Sequence, residues 1–377
     1  MHSLYQNNKK AYQNFQNTIK SPKSLNLYCR VIHKYFEFVG LDSDTCYKLL
    51  EKDKKEIESD ITSFLVYLRN EQKKGYLATK NYYNAIKHFY HINYDDELKW
   101  SRIKMYLGDD DDENTEKDRP YTMEEIRILY SVAHDLRAKA IVSLLTSTGM
   151  RVEGLIDLRV GNLTPIDKYN IYKVQVYAKS KYSYFTFCSP EARRDIDRYL
   201  EYRTKCKETI TSKSPVIRNS FNSVGSEYTK IPKPLQTCEA VFKILSTMLK
   251  RDALLRGEGR DHEKEKNRYP VKAVHGFRKF FITTAAMNGM HPDWVDLLTG
   301  HKLPGVRGAY FKPTPEQLLE GTETVKGYKD IIDSVTINEE NKLRKEIHEL
   351  KINQDKMLEL AAKVAEVEQY MKSLKKK

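Results

Sequence analysis

Four short stretches in the second half of the sequence combine residue types that could act on one anion. Thr148-Gly149-Met150-Arg151 reads as a turn opening a new helix. Arg151 then stands at a helix start, where peptide N–H groups also favour negative charge. Ala178-Lys179-Ser180-Lys181 reads as a turn carrying two lysines. His275-Gly276-Phe277-Arg278 sets a His and an Arg three residues apart, on one face of a helix. Leu298-Thr299-Gly300-His301 is followed nine residues on by Tyr310. Each has an ordinary explanation by itself: a surface Arg, solubilising lysines, a structural His. With 26 tyrosines in 377 residues, a Tyr at a fixed offset is weak evidence alone. In combination they supply cations for an anionic group, two imidazoles for proton transfer and a phenol that can attack. That set suits a phosphodiester.

The elements that must hold these residues are legible around them. Thr122 with Glu125 three residues later predicts a capped helix start. Residues 136–147 form an apolar helix stopped by Gly149. Residues 171–177 (IYKVQVY) and 182–188 (YSYFTFC) are β-branched and aromatic, and they flank the lysine turn as a hairpin. Helices are expected again over 190–207, 236–255, 275–289 and 291–299, with loops over 209–235 and 256–271.

The first third is helical. Leu25, Tyr28, Val31, Ile32, Tyr35, Phe36 and Val39 recur at helical spacing, and similar stripes follow over 57–68 and 82–90. Gly40 and Gly75 stand where helices should stop. This predicts a bundle of four or five helices over 1–107, with Lys34, Arg69, Lys73, Lys74, Lys80 and Lys87 on its polar faces. Residues 108–120 contain the run DDDDENTEKD, a linker rather than an element. A second body covers 121–335. Over 336–377, Leu343, Ile347, Leu350, Gln354, Met357, Ala361, Val364, Glu368 and Met371 alternate spacings of four and three. That seam predicts a coiled coil or one amphipathic helix docked on the body. The fold class is therefore mainly α with a small β-sheet, an α+β chain.

Lys plus Arg outnumber Asp plus Glu by 65 to 52, a net charge of +13. The run DDDDENTEKD (109–118) holds −6 of the total, which leaves +19 on the rest and favours a polyanionic partner such as nucleic acid. The five cysteines (Cys29, Cys46, Cys188, Cys206, Cys238) show no zinc spacing. Their odd count and the absence of an apolar leader point to a reducing, cytoplasmic setting. No run reaches about 18 apolar residues, so no membrane span is expected.

The order and spacing of TGMR, the hairpin lysine, HGFR and LTGH with its later Tyr resemble the catalytic domain of the tyrosine recombinases. These are the lambda-integrase-like enzymes, Xer-like and archaeal integrases among them, that break and rejoin DNA. The likeness covers about 120–315; residues 1–107 are similar to that family's core-binding, DNA-binding domain in position and helix content only. The resemblance implies an active site of Arg151, Lys179, His275, Arg278, His301 and Tyr310, with no metal and no cofactor. It implies double-stranded DNA as partner, a tetrameric synapse of self-associated protomers, and a C-shaped clamp on the duplex. The chemistry fits these residue types. Two Arg forks and a His301 hydrogen bond stabilise charge on the non-bridging oxygens. Tyr310 forms a covalent 3′-phosphotyrosine, with His275 as base and Lys179 as acid for the leaving 5′-oxygen. Rejoining then needs no ATP.

Two departures from the family pattern stand out. The acid usually found three residues after the first Arg is replaced by Gly154, and Glu153 lies one step early, turned by about 100° on a helix. Lys181 is an alternative to Lys179. Among other classes, a type IB topoisomerase-like enzyme shares the chemistry, and a non-catalytic DNA-binding architectural protein shares the scaffold. A coiled-coil interaction protein would explain only the tail. The loops around Arg218 and over 256–272 are expected to face DNA.

Overall fold

A computed structural model describes residues 10–94, 97–108, 119–221, 237–250 and 273–337. The acidic run 109–118, residues 222–236 and 251–272, which hold most of the two expected loops, and the heptad segment from 338 onward lie outside the described residues. The chain divides into two compact units, Met1–Asn114 and Thr115–Lys377.

The first unit contains α1 (Ala11–Asn17), α2 (Pro22–Phe38), α3 (Lys54–Asn70), α4 (Tyr76–Asn93) and α5 (Trp100–Lys104). Local chemistry sets the starts. Ser21 caps α2 with Pro22 in its first turn, and the Asp53 carboxylate accepts from the N–H groups of Lys55 and Glu56. Gly40 ends α2 in the left-handed region at φ +74°. Gly75 does not stop a helix as expected: α3 ends at Asn70, and Gly75 is the N-cap of α4. The apolar stripes meet in an aromatic core of Tyr35, Phe36, Phe64, Phe89 and Tyr90. The hydroxyls of Tyr35 and Tyr90 share a buried hydrogen bond of 3.0 Å, so neither polar tip is left unpaired there. Lys34, Arg69, Lys73 and Lys87 are exposed.

The second unit is helical around one small sheet, the fold class read from the sequence. Its elements are α6 (Met123–Ser131), α7 (Leu136–Thr148), α8 (Val152–Asp157), β1 (Leu163–Ile166), β2 (Ile171–Val176), β3 (Tyr184–Phe187), α9 (Pro190–Lys205), α10 (Cys238–Leu249), α11 (His275–Met287), α12 (Pro292–Thr299), α13 (Arg307–Tyr310) and α14 (Pro315–Glu320). The sheet is antiparallel in the order β1-β2-β3, with Val174 opposite Leu163 on one side and Thr186 on the other. β1 was not legible in advance. It is four residues long and contains Pro165, which an edge strand tolerates. α7 is buried from Ala140 to Thr148, and α6, α9 and α11 pack around it. The Thr122–Glu125 capping box forms as spaced.

In the loop expected to face DNA, one side chain serves the core instead. Arg218 does not face outward: its side chain is buried, and its Nη1 donates to Glu208 at 2.7 Å. Arg203 pairs with the same carboxylate and also donates to the Pro215 and Val216 carbonyls. A buried Glu must be paired, and the fold supplies two cations that sequence spacing does not connect.

The chain beyond Tyr310 returns to this core. The Tyr328 hydroxyl donates to the Ser147 carbonyl at 2.8 Å, inside the protein. Ile337 is held at both backbone atoms: its N–H donates to Glu191 (2.7 Å) and its carbonyl accepts from Arg127 (3.0 Å). All five cysteines are free. Among the described residues no helix is long and apolar enough to cross a membrane.

Candidate active site

Two left-handed glycines form the floor of the site. Gly149 ends α7 at φ +58°, and a Cβ there would stand 2.6 Å from the Phe281 ring. Gly300 ends α12 at φ +70°, and a Cβ there would stand 2.4 Å from the Tyr184 ring. Real Cβ atoms do not approach so closely, so both positions require glycine for conformation and for space. At α12 the closure is a Schellman motif: Gly300 N–H donates to the Leu297 carbonyl (3.1 Å) and His301 N–H to the Asp296 carbonyl (2.8 Å).

Arg278 lies one turn into α11 and is buried. Its Nη1 donates to the carbonyls of Gly149 and Thr299, both at 2.8 Å. Its Nη2 is 2.7 Å from His301 Nε2. Arg151 is the N-cap of α8, and its Nη1 donates to the Gly300 carbonyl at 3.3 Å. The two glycine turns thus gather Arg151, Arg278 and His301. Burial, and then the Arg151 cation, pull the Arg278 guanidinium down to about 10, while Tyr184 and Tyr177 oppose the shift. It therefore stays charged at neutral pH. Among the described residues neither guanidinium is ion-paired with a carboxylate.

The other sequence candidates lie at the start of α11, in the β2–β3 turn and at the end of α13. His275 is the first residue of α11 and is exposed. Tyr121 fixes that helix start: its hydroxyl donates to the Ala273 carbonyl, and its ring lies 4.7 Å from that of Phe277. β2 ends at Val176, so Lys179 lies beyond the strand, in the turn closed by Ser180 N–H on the Tyr177 carbonyl. Lys179 and Lys181 are both exposed, and the Lys181 ammonium sits 5.2 Å above the Tyr182 ring. Tyr310 ends the four-residue α13 and is 83% exposed. That helix is tied to α12 by Arg307, which donates to both Asp293 oxygens at 3.1–3.2 Å. Neither Lys179 nor Tyr310 is hydrogen-bonded to the arginine cluster among the described residues.

The departure at Gly154 has a steric reason. A Cβ at that position would lie 2.5 Å from Val176 Cγ1, so α8 packs on β2 without room for a side chain. Glu153 is exposed instead. Tyr177, between the two, is raised by burial first and by Glu153 next, with Arg151 opposing.

Two side chains of the site were not singled out in the sequence. Tyr184 packs its ring on Gly300, and burial raises its hydroxyl to about 12. Asp296 Oδ1 is 2.8 Å from His301 Nδ1. The spacing Asp-x-x-x-Gly-His was the available signal for the second, because a helix ending in Gly folds the residue after it back over its last turn. Among the described residues no three His, Cys, Asp or Glu side chains converge as metal ligands would.

No family model matches the sequence, and no curated protein matches it. Solved structures do match. A lambda integrase dimer bound to a COC′ core site is 14% identical, with 80% of this chain and 95% of that one covered and a TM-score of 0.51. The Tn1549 transposon integrase in complex with transposon right end DNA is 15% identical over 80% and 96%, at a TM-score of 0.50. The XerH site-specific recombinase bound to a palindromic difH substrate is 16% identical over 74% and 73%, also at 0.50. At such identities the likeness establishes the fold, which is that of the tyrosine recombinases and integrases.

Proposed function

We propose that this chain is a site-specific tyrosine recombinase or integrase, which cuts and rejoins double-stranded DNA through a 3′-phosphotyrosine. The observation that carries the reading is the pair of adjacent guanidiniums, Arg151 and Arg278, anchored by backbone carbonyls and ion-paired with no carboxylate among the described residues. Holding two like charges together is unfavourable without an anion between them. A phosphodiester supplies that anion, and its charge grows as phosphorus becomes five-coordinate.

In this mechanism Arg151, Arg278 and His301 hold the non-bridging oxygens. The Tyr310 oxygen attacks phosphorus and its proton passes to His275. The bond from phosphorus to the 5′-oxygen breaks, and that oxygen takes a proton from Lys179, or from Lys181 in the same turn. The reverse steps rejoin a strand, and the energy of the linkage stays in the phosphotyrosine. No metal, cofactor or ATP enters. Tyr310 is 83% exposed at the end of α13, so its hydroxyl is open to a phosphate of bound DNA. Residues 1–107 act as the core-binding domain joined through 108–120 to the catalytic domain 121–335. Protomers associate on two sites as a tetramer, with 336–377 contributing to the pairing.

The test is covalent capture. The protein is incubated with nicked duplexes made from the DNA flanking its gene, and the linked peptide is mapped. The expected adduct is on Tyr310, and Tyr310→Phe abolishes it while binding persists. An adduct on another tyrosine would overturn the assignment, and binding with no adduct from the wild-type chain would indicate an architectural protein. Relaxation of supercoiled DNA without any joining of sites would indicate a topoisomerase.

A further inference from the structure

We infer that Asp296 is a positioning residue, one that fixes the tautomer and the orientation of His301. This rests on the functional reading above and adds to it a residue outside the proposed catalytic set.

The geometry defines the ring from both sides. An arginine has only donors, so the 2.7 Å contact of Arg278 Nη2 with His301 Nε2 requires a lone pair on Nε2. The ring proton is then on Nδ1. That nitrogen lies 2.8 Å from Asp296 Oδ1, an acceptor-only group when ionised. Thr299 Oγ1 lies farther from Nδ1, at 3.5 Å, and is 2.8 Å from the Val295 carbonyl, to which it donates. Asp296 is therefore the strong partner of Nδ1.

The backbone reinforces the pair. The Asp296 carbonyl accepts from the His301 N–H at 2.8 Å, as the sixth-to-first bond of the Schellman motif. In that motif the side chains of these two positions meet, commonly as an apolar contact. Here the contact is carboxylate to imidazole. Main chain and side chain thus hold the same two residues together, with Gly300 between them locked by the Tyr184 ring.

The consequence concerns which edge of the ring meets DNA. With Nδ1–H committed to Asp296, the Nε2 edge is the one turned toward Arg278 and a phosphate. Donation to a phosphate oxygen from Nε2 needs the doubly protonated ring, in which Nδ1–H stays on Asp296 and the Arg278 Nη2 donor, no longer accepted by Nε2, turns to the phosphate as well. Without Asp296 the ring can rotate or place its single proton on Nε2, where it would oppose the Arg278 donor.

Two substitutions in the full chain test this. Asn at 296 keeps an oxygen acceptor for Nδ1–H, whereas Ala removes it. Both positions are about two-fifths exposed, so truncation leaves no buried void. The expected result from nitrogen-15 spectra of neutral His301 is the Nδ1–H tautomer in the wild type and Asp296→Asn, and a mixture in Asp296→Ala. Cleavage of a nicked duplex is expected to stay within about threefold in Asp296→Asn. In Asp296→Ala it is expected to fall on the order of 10- to 100-fold, as for the partners that orient metal-bound histidines. Retention of the tautomer and the rate in Asp296→Ala overturns the inference. Equal loss in both variants also overturns it, since Asn preserves the acceptor. A wild-type chain that forms no adduct defeats the functional reading instead, and the spectra still decide whether Asp296 sets the ring.

Discussion

Arg278 donates from Nη1 to the carbonyl of Gly149, 129 residues earlier in the chain, at 2.8 Å. That bond joins the HGFR helix to the TGMR turn, and the same nitrogen joins both to the end of α12 through Thr299. One planar guanidinium therefore aligns three separate segments before any ligand arrives.

Arg278→Lys is expected to break this arrangement while keeping the charge. A lysine ammonium is a single point with flexible reach and cannot serve two carbonyls and an imidazole from a fixed fork. Covalent adduct formation on a nicked duplex should fall by at least about 100-fold, the cost of losing one transition-state donor. Binding measured by gel shift should change little. A cleavage rate within tenfold of the wild type would count against the role of the fork.

Gly300→Ala is expected to destabilise the second unit. The left-handed conformation costs a Cβ-bearing residue about 1–2 kcal/mol, and the new methyl must also displace the buried Tyr184 ring. A thermal melt should show the loss, and cleavage should fall with it because the turn carries His301. Wild-type melting would mean that the ring and backbone move apart at no cost.

Alkaline pH should destabilise the protein in a defined window. Burial raises the thiols of Cys46 and Cys188 from 9.0 to about 12. A folded-state value above the unfolded one gives stability that is complete below pH 9 and is lost as pH climbs toward 12. Tyr184 acts in the same sense between 10 and about 12, also through burial. Arg278 acts in the opposite sense above about 10, because its folded value is depressed. Between pH 9 and 10 only the thiols among these four contribute, so the melting temperature should fall there. Cys188→Ala should flatten that slope, and an unchanged slope would contradict the assignment.

Deleting 338–377 should impair joining of two sites more than cleavage of one strand. The cut falls after Ile337, so the bonds from its N–H to Glu191 and from Arg127 to its carbonyl remain. The catalytic fold should then melt as before. Equal loss of both activities, with a lowered melting temperature, would show that the segment supports the fold instead.

The elements and three residues of the candidate site were legible in the sequence because they depend on local patterns. Apolar periodicity marked α2, α3, α4 and α7, and the Thr122–Glu125 spacing marked the start of α6. β-branched and aromatic runs marked β2 and β3, whereas the short, proline-containing edge strand β1 carried too little pattern to be seen. Arg151, Arg278 and His301 were recognisable from their motifs. That they share one cluster was decided only by tertiary structure, because the bonds joining them run through backbone carbonyls, which every residue has. Nor does sequence spacing reveal that Arg218 is buried, because that depends on the Glu208 carboxylate the fold places beside it. The sequence by itself determined which groups were present and how each segment would fold. Packing determined which of them meet, since a contact across more than a hundred residues depends on the path of the whole chain.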